Sequence, residues 1–228
     1  AKELGATKQE VHRNLVRLEE SGLITKEKDG KYSLTTFGKT MCVEIPSILF
    51  LSQHNEYFQD HDFGNIPLKF VMRAGQLATG SHIKGITKTL QKWKSVYSNA
   101  NEYICEILSE IPEDLFDPIL KKIKNGVKFE YIVSESAIVP EGRLTRLKKS
   151  GFYELLENGS IERKMQKSVQ TVVVLNEKEA CIFFPKNGEA DLTEMFYSDN
   201  DIFHEWCLDY FRYCWYNSGS FQENKLKE

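Results

Sequence analysis

The sequence predicts an α/β protein: a small helical and hairpin module followed by a larger α/β domain with a central mixed sheet. Three observations carry this expectation. The opening stretch reads as helix end, tight turn, helix and hairpin. From Ala78 onward, helix-like and strand-like segments alternate, which is the pattern of α/β domains. The run VQTVVVLN at 169–176 has an unbroken apolar centre, 172–175, as expected of a strand covered on both faces.

The totals fit this class. The chain has 228 residues, 41% hydrophobic and 28% charged, a composition of globular proteins and a length that suffices for two modules. Its longest apolar stretch, 45–51, contains Pro46 and falls far short of the roughly 18 residues a membrane helix needs, so no membrane partner is expected. No signal peptide opens the chain and the first residue is Ala, which predicts a cytoplasmic protein whose start lies upstream. Net charge is −3, yet residues 1–41 hold eight Lys/Arg against six acids. That small local excess is compatible with nucleic acid as a partner. The five cysteines form no C-x-x-C pair and are expected as free thiols, four of them buried. Cys207 and Cys214 share one face of a helix, and no His stands at ligand spacing, so no metal is expected.

Each element can be justified in order. Residues 1–4 read as the last turn of a helix stopped by Gly5. Thr7 and Glu10 then form a T-x-x-E capping box that starts a helix over 7–20. Val11, Leu15 and Leu18 mark its inward stripe. Strands at 23–28 and 31–35 flank Asp29-Gly30, a strong hairpin signal. This is the order of a winged helix-turn-helix. Residues 36–60 read as mostly helical, with a break or bend at Pro46, and a further helix spans 67–76. Helices are then expected at 86–100, 114–124, 142–157 and 200–217. Strands are expected at 103–108, 127–133, 160–165, 169–175 and 180–185, with a polar tail after Gly219. The divisions are 1–40 for the winged helix, incomplete at its start, 41–77 for a helical linker with a possible dimer contact, and 78–218 for the α/β domain.

The chemistry of the first helix follows from its faces. The major groove admits a helix and shows a distinct donor and acceptor pattern for each base pair. With the apolar stripe inward, Lys8, Gln9, His12, Arg13 and Arg17 face outward. Gln can pair with adenine and Arg with guanine, while the free amides of the helix start, around Thr7 to Gln9, suit a phosphate. Lys26, Lys28 and Lys31 flank the hairpin tip, where a wing would meet the adjacent backbone. The expected partner is double-stranded DNA. Glu10, Glu19 and Glu20 temper the basic face, so affinity is expected to draw on a dimer and on the wing. A solvated helix beside an unrelated hairpin is the plainer alternative.

The segments EVHRNLVRLEESGLI and KYSLTTFGKTM resemble the second half of archaeal winged-helix transcriptional regulators. HDFGNIPLKF at 61–70, NGVKFEYIVSES at 125–136 and NGEADLTEMFYSDNDIFHEWCLDYFRYCW at 187–215 are similar to one family among them. Its type member is the methanogenesis and filamentation regulatory protein, which pairs a winged helix with a characteristic middle domain. The resemblance implies a dimeric transcription regulator with an effector-sensing domain, and a first helix preceding Ala1. The α/β part also looks similar to the half-domain of the phospholipase D fold. That fold catalyses with a strand bearing His-x-Lys, and RKMQKSVQTVVVL and EACIFFP contain no His. No catalytic residue and no cofactor are therefore expected, and a phosphodiesterase or nuclease is the rival reading.

A small-molecule effector would be expected at the end of the strand at 127–133. Ser134, Glu135 and Ser136 stand there, and Arg143 and Arg146 follow on the next helix as a carboxylate or phosphate clamp. His61-Asp62 reads as packing and capping, His82 and His204 as structural or exposed, and Asp191 as a turn residue. The aromatics of 200–217 are expected to seal the core.

Overall fold

The computed structural model describes residues 3, 5–110 and 113–226, and the helix turn expected at 1–4 falls largely outside them. Helix α1 (Lys8–Glu20) starts on the expected capping box: the Thr7 amide donates to Glu10 Oε2 at 2.8 Å, and the Glu10 amide to Thr7 Oγ1 at 3.2 Å. Strands β1 (Ile24–Lys26) and β2 (Tyr32–Leu34) pair antiparallel around Asp29-Gly30. Gly30 takes φ of +83°, a left-handed conformation that glycine adopts without steric cost. Thr35 ties the module together. Its hydroxyl donates to the Gly22 carbonyl at 2.6 Å and accepts from the Gly38 amide at 3.0 Å, capping α2 (Thr36–Gln53). Helix α2 approaches the hairpin at Gly38, where a Cβ would lie 1.9 Å from the Leu23 carbonyl oxygen.

The stripe expected to bury α1 is only half-covered. Val11 and Leu15 are half-buried, Leu18 is 38% exposed, and α1 has no buried residue. Helix α2 runs through Pro46 as one helix, which leaves out the break that is one of the two outcomes expected there. A brace crosses it there: Ser47 Oγ donates to the Met72 carbonyl at 2.7 Å and accepts from the Gly75 amide at 3.0 Å. The helix expected over 67–76 is accordingly two short pieces, α3 (Leu68–Val71) and a 3-10 turn over Ala74–Leu77.

The larger sheet is mixed and has eight strands. In spatial order they are β12 (Gly219–Ser220), β6 (Ile161–Gln166), β5 (Lys128–Ser134), β4 (Tyr103–Leu108), β7 (Val172–Asn176), β8 (Ala180–Phe183), β11 (Glu194–Ser198) and β3 (Ser81–Lys84). Strands β4, β5 and β6 run parallel and every other pairing is antiparallel. Strand β7 is buried along its whole length, as its apolar run demands. Strands β9 (Pro185–Lys186) and β10 (Glu189–Ala190) form a separate small hairpin. One face of the sheet is covered by α4 (Ile86–Asn99), α5 (Glu113–Lys124), α6 (Arg143–Lys149) and α7 (Phe152–Glu157), and the other by α8 (Asp201–Asn217).

Three strands and one interruption depart from expectation. The edge strands β3 and β12, and β11 next to β3, occupy stretches whose sequence suggests loop, tail and turn. They are short, and β12 carries no apolar pattern. The helix expected at 142–157 divides into α6 and α7 at Gly151, whose φ is +76°. The polar tail is docked: Glu223 pairs with Arg143 and Arg163. In α8, Phe203, Trp206, Tyr210 and Phe211 are buried and seal the core. Cys42 is exposed and the other four thiols are buried, with burial holding Cys207 and Cys214 protonated.

Candidate functional site

All the residues expected on the DNA-reading face are exposed. Lys8, Gln9, His12, Arg13 and Arg17 stand on α1, and Lys26, Lys28 and Lys31 on the hairpin. Two are partly engaged: Lys31 pairs with Asp29 at 2.9 Å, and Lys26 lies 5.8 Å from the Tyr32 ring centre. The Thr7 amide is not free for the expected phosphate cradle. Its amide is already given to the Glu10 carboxylate, and this bond holds Glu10 below the usual carboxylate range. The start of α1 therefore carries a negative charge of its own.

The expected effector residues fall into two groups. Ser134 is buried and its hydroxyl meets Ser136 Oγ at 2.8 Å, closing a local turn. Glu135 takes the Lys225 ammonium at 2.7 Å and faces an open groove beside α8. Among the described residues, these three stand apart from the partly enclosed cavity beneath α6. Arg143 and Arg146 do line it, although both are already paired. Arg143 is bound to Glu223, and Arg146 to Glu113 and Asp117 at 2.9 and 3.0 Å. Neither is the free clamp that spacing suggested.

That cavity, of about 110 Å³, lies between α4, α5, α6 and the sheet. Its walls are Leu115, Phe116, Ile119, Phe129, Leu147 and Phe152. Its polar floor is Glu106 of β4, which is 1% exposed. Glu106 Oε1 accepts bonds from Trp93 Nε1, at 3.0 Å, and from the Tyr97 hydroxyl. Burial pushes its carboxyl up to about 7, and these two bonds only partly oppose the shift. Sequence reasoning misses Glu106 because YICEIL reads as one more buried strand. A lone acid inside such a run is the available signal, since an unpaired buried carboxylate is costly.

The histidines gain partners. His61 is buried, with Nδ1 at 3.0 Å from the Tyr57 carbonyl and Nε2 at 3.0 Å from Asp191, which also caps the Thr193 amide at 2.8 Å. His82 lies 2.8 Å from Glu194 and stacks on Phe196, with His54 beside it. Burial lowers the affinity of His82 for a proton against the pull of Glu194. His204 meets the Asn176 carbonyl at 2.6 Å. Among the described residues, no group of three His, Cys, Asp or Glu is placed to hold a metal ion. No helix among them is long and apolar enough to cross a membrane.

No protein-family model matches the chain, and no curated protein does. Solved structures do. TrmBL2, described as an archaeal chromatin protein with a novel mode of DNA binding, is 14% identical and has a TM-score of 0.50, with 95% of this chain and 84% of that one covered. NucT from Helicobacter pylori is 13% identical with a TM-score of 0.48, covering 62% of this chain and 98% of its own. Nuc from Salmonella typhimurium, a phospholipase D family member, is 13% identical with a TM-score of 0.46, covering 63% and 99%. The likeness to TrmBL2 is one of fold, and it extends over nearly the whole chain.

Proposed function

We propose that this chain is a ligand-responsive transcription regulator that reads duplex DNA as a homodimer. Helix α1 and the β1–β2 wing would meet the DNA, and the α/β domain would sense an effector. The observation that carries the reading is the outer face of α1. Lys8, Gln9, His12, Arg13 and Arg17 are all exposed, on a helix fixed by its cap and tied through Thr35 to a lysine-bearing hairpin. A helix held this way can enter a major groove while the wing lies along the backbone. The likeness of fold to a DNA-binding archaeal chromatin protein supports the reading. So does the resemblance of its motifs to the methanogenesis and filamentation regulators. The α/β domain is read as binding its ligand without turning it over, because the cavity's polar floor offers an acid held by Trp93 and Tyr97 and no paired nucleophile.

The test is charge reversal at Lys8 and Arg13, read by fluorescence anisotropy on duplex DNA across a salt series. The double variant should bind less tightly and with a shallower dependence of log K on log salt, by about one unit for each phosphate it no longer neutralises. Equal affinity and equal slope would overturn DNA reading by α1.

A further inference from the structure

The cavity over Glu106 lies on the same domain that the proposed regulator would use for sensing, and its polar groups name a ligand class. Three features converge. The first is the floor. Glu106 is nine-tenths buried and more, and both of its hydrogen bonds are taken on Oε1. Among the described residues no donor reaches Oε2, although Glu106 lines the cavity. A carboxyl in the wall of a cavity whose second oxygen has no protein donor is a group prepared for a partner.

The second feature is the wall, which is apolar and aromatic. A space of about 110 Å³ is comparable to the engineered apolar cavity of about 150 Å³ that takes benzene. It suits a body of one ring or a short branched chain. The third feature is the mouth, marked by the exposed lining residues Glu113, Glu141 and Gly142. Glu113 and Asp117 share the single charge of Arg146, which lies 4.8 Å from the Phe116 ring centre, and Arg143 is neutralised by Glu223. With Glu141 added, the two acids of the rim balance its two arginines, so the mouth holds no excess positive charge to turn a cation away. Such a rim does not exclude a cation.

We propose that this cavity is a binding site for a small apolar amine, whose ammonium group meets Glu106 Oε2 while its hydrocarbon body fills the space beneath Phe116 and Phe152. The amine leaves Glu106 ionised beside a cation. An anionic ligand would place a second negative charge beside the Glu106 carboxyl at the floor. An uncharged ring would fill the walls and leave the floor unsatisfied. The inference rests on the sensing role proposed above only for what binding does to DNA affinity.

The experiment uses the full chain with four probes of one size: benzylamine, benzyl alcohol, toluene and benzoate. Binding is read by isothermal titration calorimetry and by the shift of Tm. Benzylamine should bind at least about tenfold more tightly than toluene or benzyl alcohol, and benzoate should not bind. Glu106→Gln, which keeps the shape and an acceptor for Trp93 and Tyr97, should remove the preference for the amine and leave the weak binding of benzyl alcohol. Should that variant not fold, the ranking of the four probes on the native chain decides. A second variant, Leu115→Phe, should weaken all the probes by filling the cavity. Equal binding of benzylamine and toluene, or benzylamine affinity unchanged in Glu106→Gln, would overturn the site. Anisotropy on DNA separates the two readings. An amine bound through Glu106 in a chain without DNA affinity supports the site and overturns the regulator, whereas DNA binding with no amine preference does the reverse.

Discussion

Arg143, at the inner rim of the cavity, is paired with Glu223 of the C-terminal segment across 80 positions of sequence. The arginine side chain is 8% exposed and the glutamate 33%. Glu223 reaches Arg163 as well, at 3.2 Å, and Arg163 lies 3.8 Å from the Phe221 ring centre. The segment after Gly219 is therefore a clasp that fastens β12 beside β6 and neutralises a buried charge.

Breaking this pair from the acidic side strands Arg143. Loss of one partner of a fully buried pair costs about 3–5 kcal/mol, and solvent around Glu223 reduces the figure here. Glu223→Ala should lower stability by about 2 kcal/mol, visible as a lower urea midpoint with an unchanged slope. An unaltered midpoint would show that the clasp is decorative.

Glu106 sets a dependence of stability on pH. Its carboxyl titrates at about 7 in the folded chain against an ordinary value of 4.5, chiefly through burial. Between these values the folded state keeps a proton that the unfolded state has released. Stability from this group is thus fully present below about 4.5 and is lost as pH rises toward 7. The shift corresponds to about 3 kcal/mol. Glu106→Gln has no proton to lose. The free-energy difference between the native chain and this variant, measured by urea unfolding from pH 4.5 to 8, should move in the variant's favour as pH rises. Comparing the two proteins cancels groups common to both, including His82. A constant difference across the range would sink the idea.

Gly75 is a contact point between α2 and the turn that follows α3. A Cβ there would stand 2.5 Å from the Pro46 carbonyl carbon and from the Ser47 nitrogen. Backbone on both sides leaves no flexible side chain to yield. Gly75→Ala should cost about 1–3 kcal/mol as overpacking, whereas Gly219→Ala, with its nearest atom at 4.0 Å, should be close to neutral. Equal unfolding midpoints for the two variants would contradict the close approach.

What the sequence disclosed follows a physical division. Signals that act within a few residues are legible: the Thr7–Glu10 capping box, the Asp29-Gly30 hairpin and the strand at 103–108 all stand where the sequence puts them. The misses depend on partners distant in sequence. Strand β3 exists because β11 pairs with it, and β12 because the tail is fastened through Glu223. The exposed carbonyls and amides of two-residue strands carry no pattern to read. The site divides in the same way. The outer face of α1 follows from helical periodicity, whereas Glu106 becomes notable only when Trp93 and Tyr97 of α4 close over it. The Ser134–Ser136 segment stands out in the sequence for its place at a strand end, and the cavity opens instead between helices.

The proposed homodimer has a specific surface to account for. Phe37, Ile45, Ile48 and Leu49 of α2 are 54%, 42%, 63% and 50% exposed. With half-buried Met41 they follow spacings of three and four residues, so they share one side of the helix. Leu68 and Met72 add 71% and 55% exposure close to α2, where Ser47 binds the Met72 carbonyl. A stripe of this kind, directly after the wing, is the seam that would pair two copies and set the separation of two recognition helices on a two-fold site. Ile48→Glu places a charge in the centre of the seam at a position that is already exposed in the single chain. The variant should fold with an unchanged circular dichroism spectrum and sediment as a monomer. It should also lose DNA affinity by about tenfold or more, because two linked half-sites bind far better than one. Native chain that sediments as a monomer at tens of micromolar, or a variant that remains dimeric, would remove the stripe from the interface.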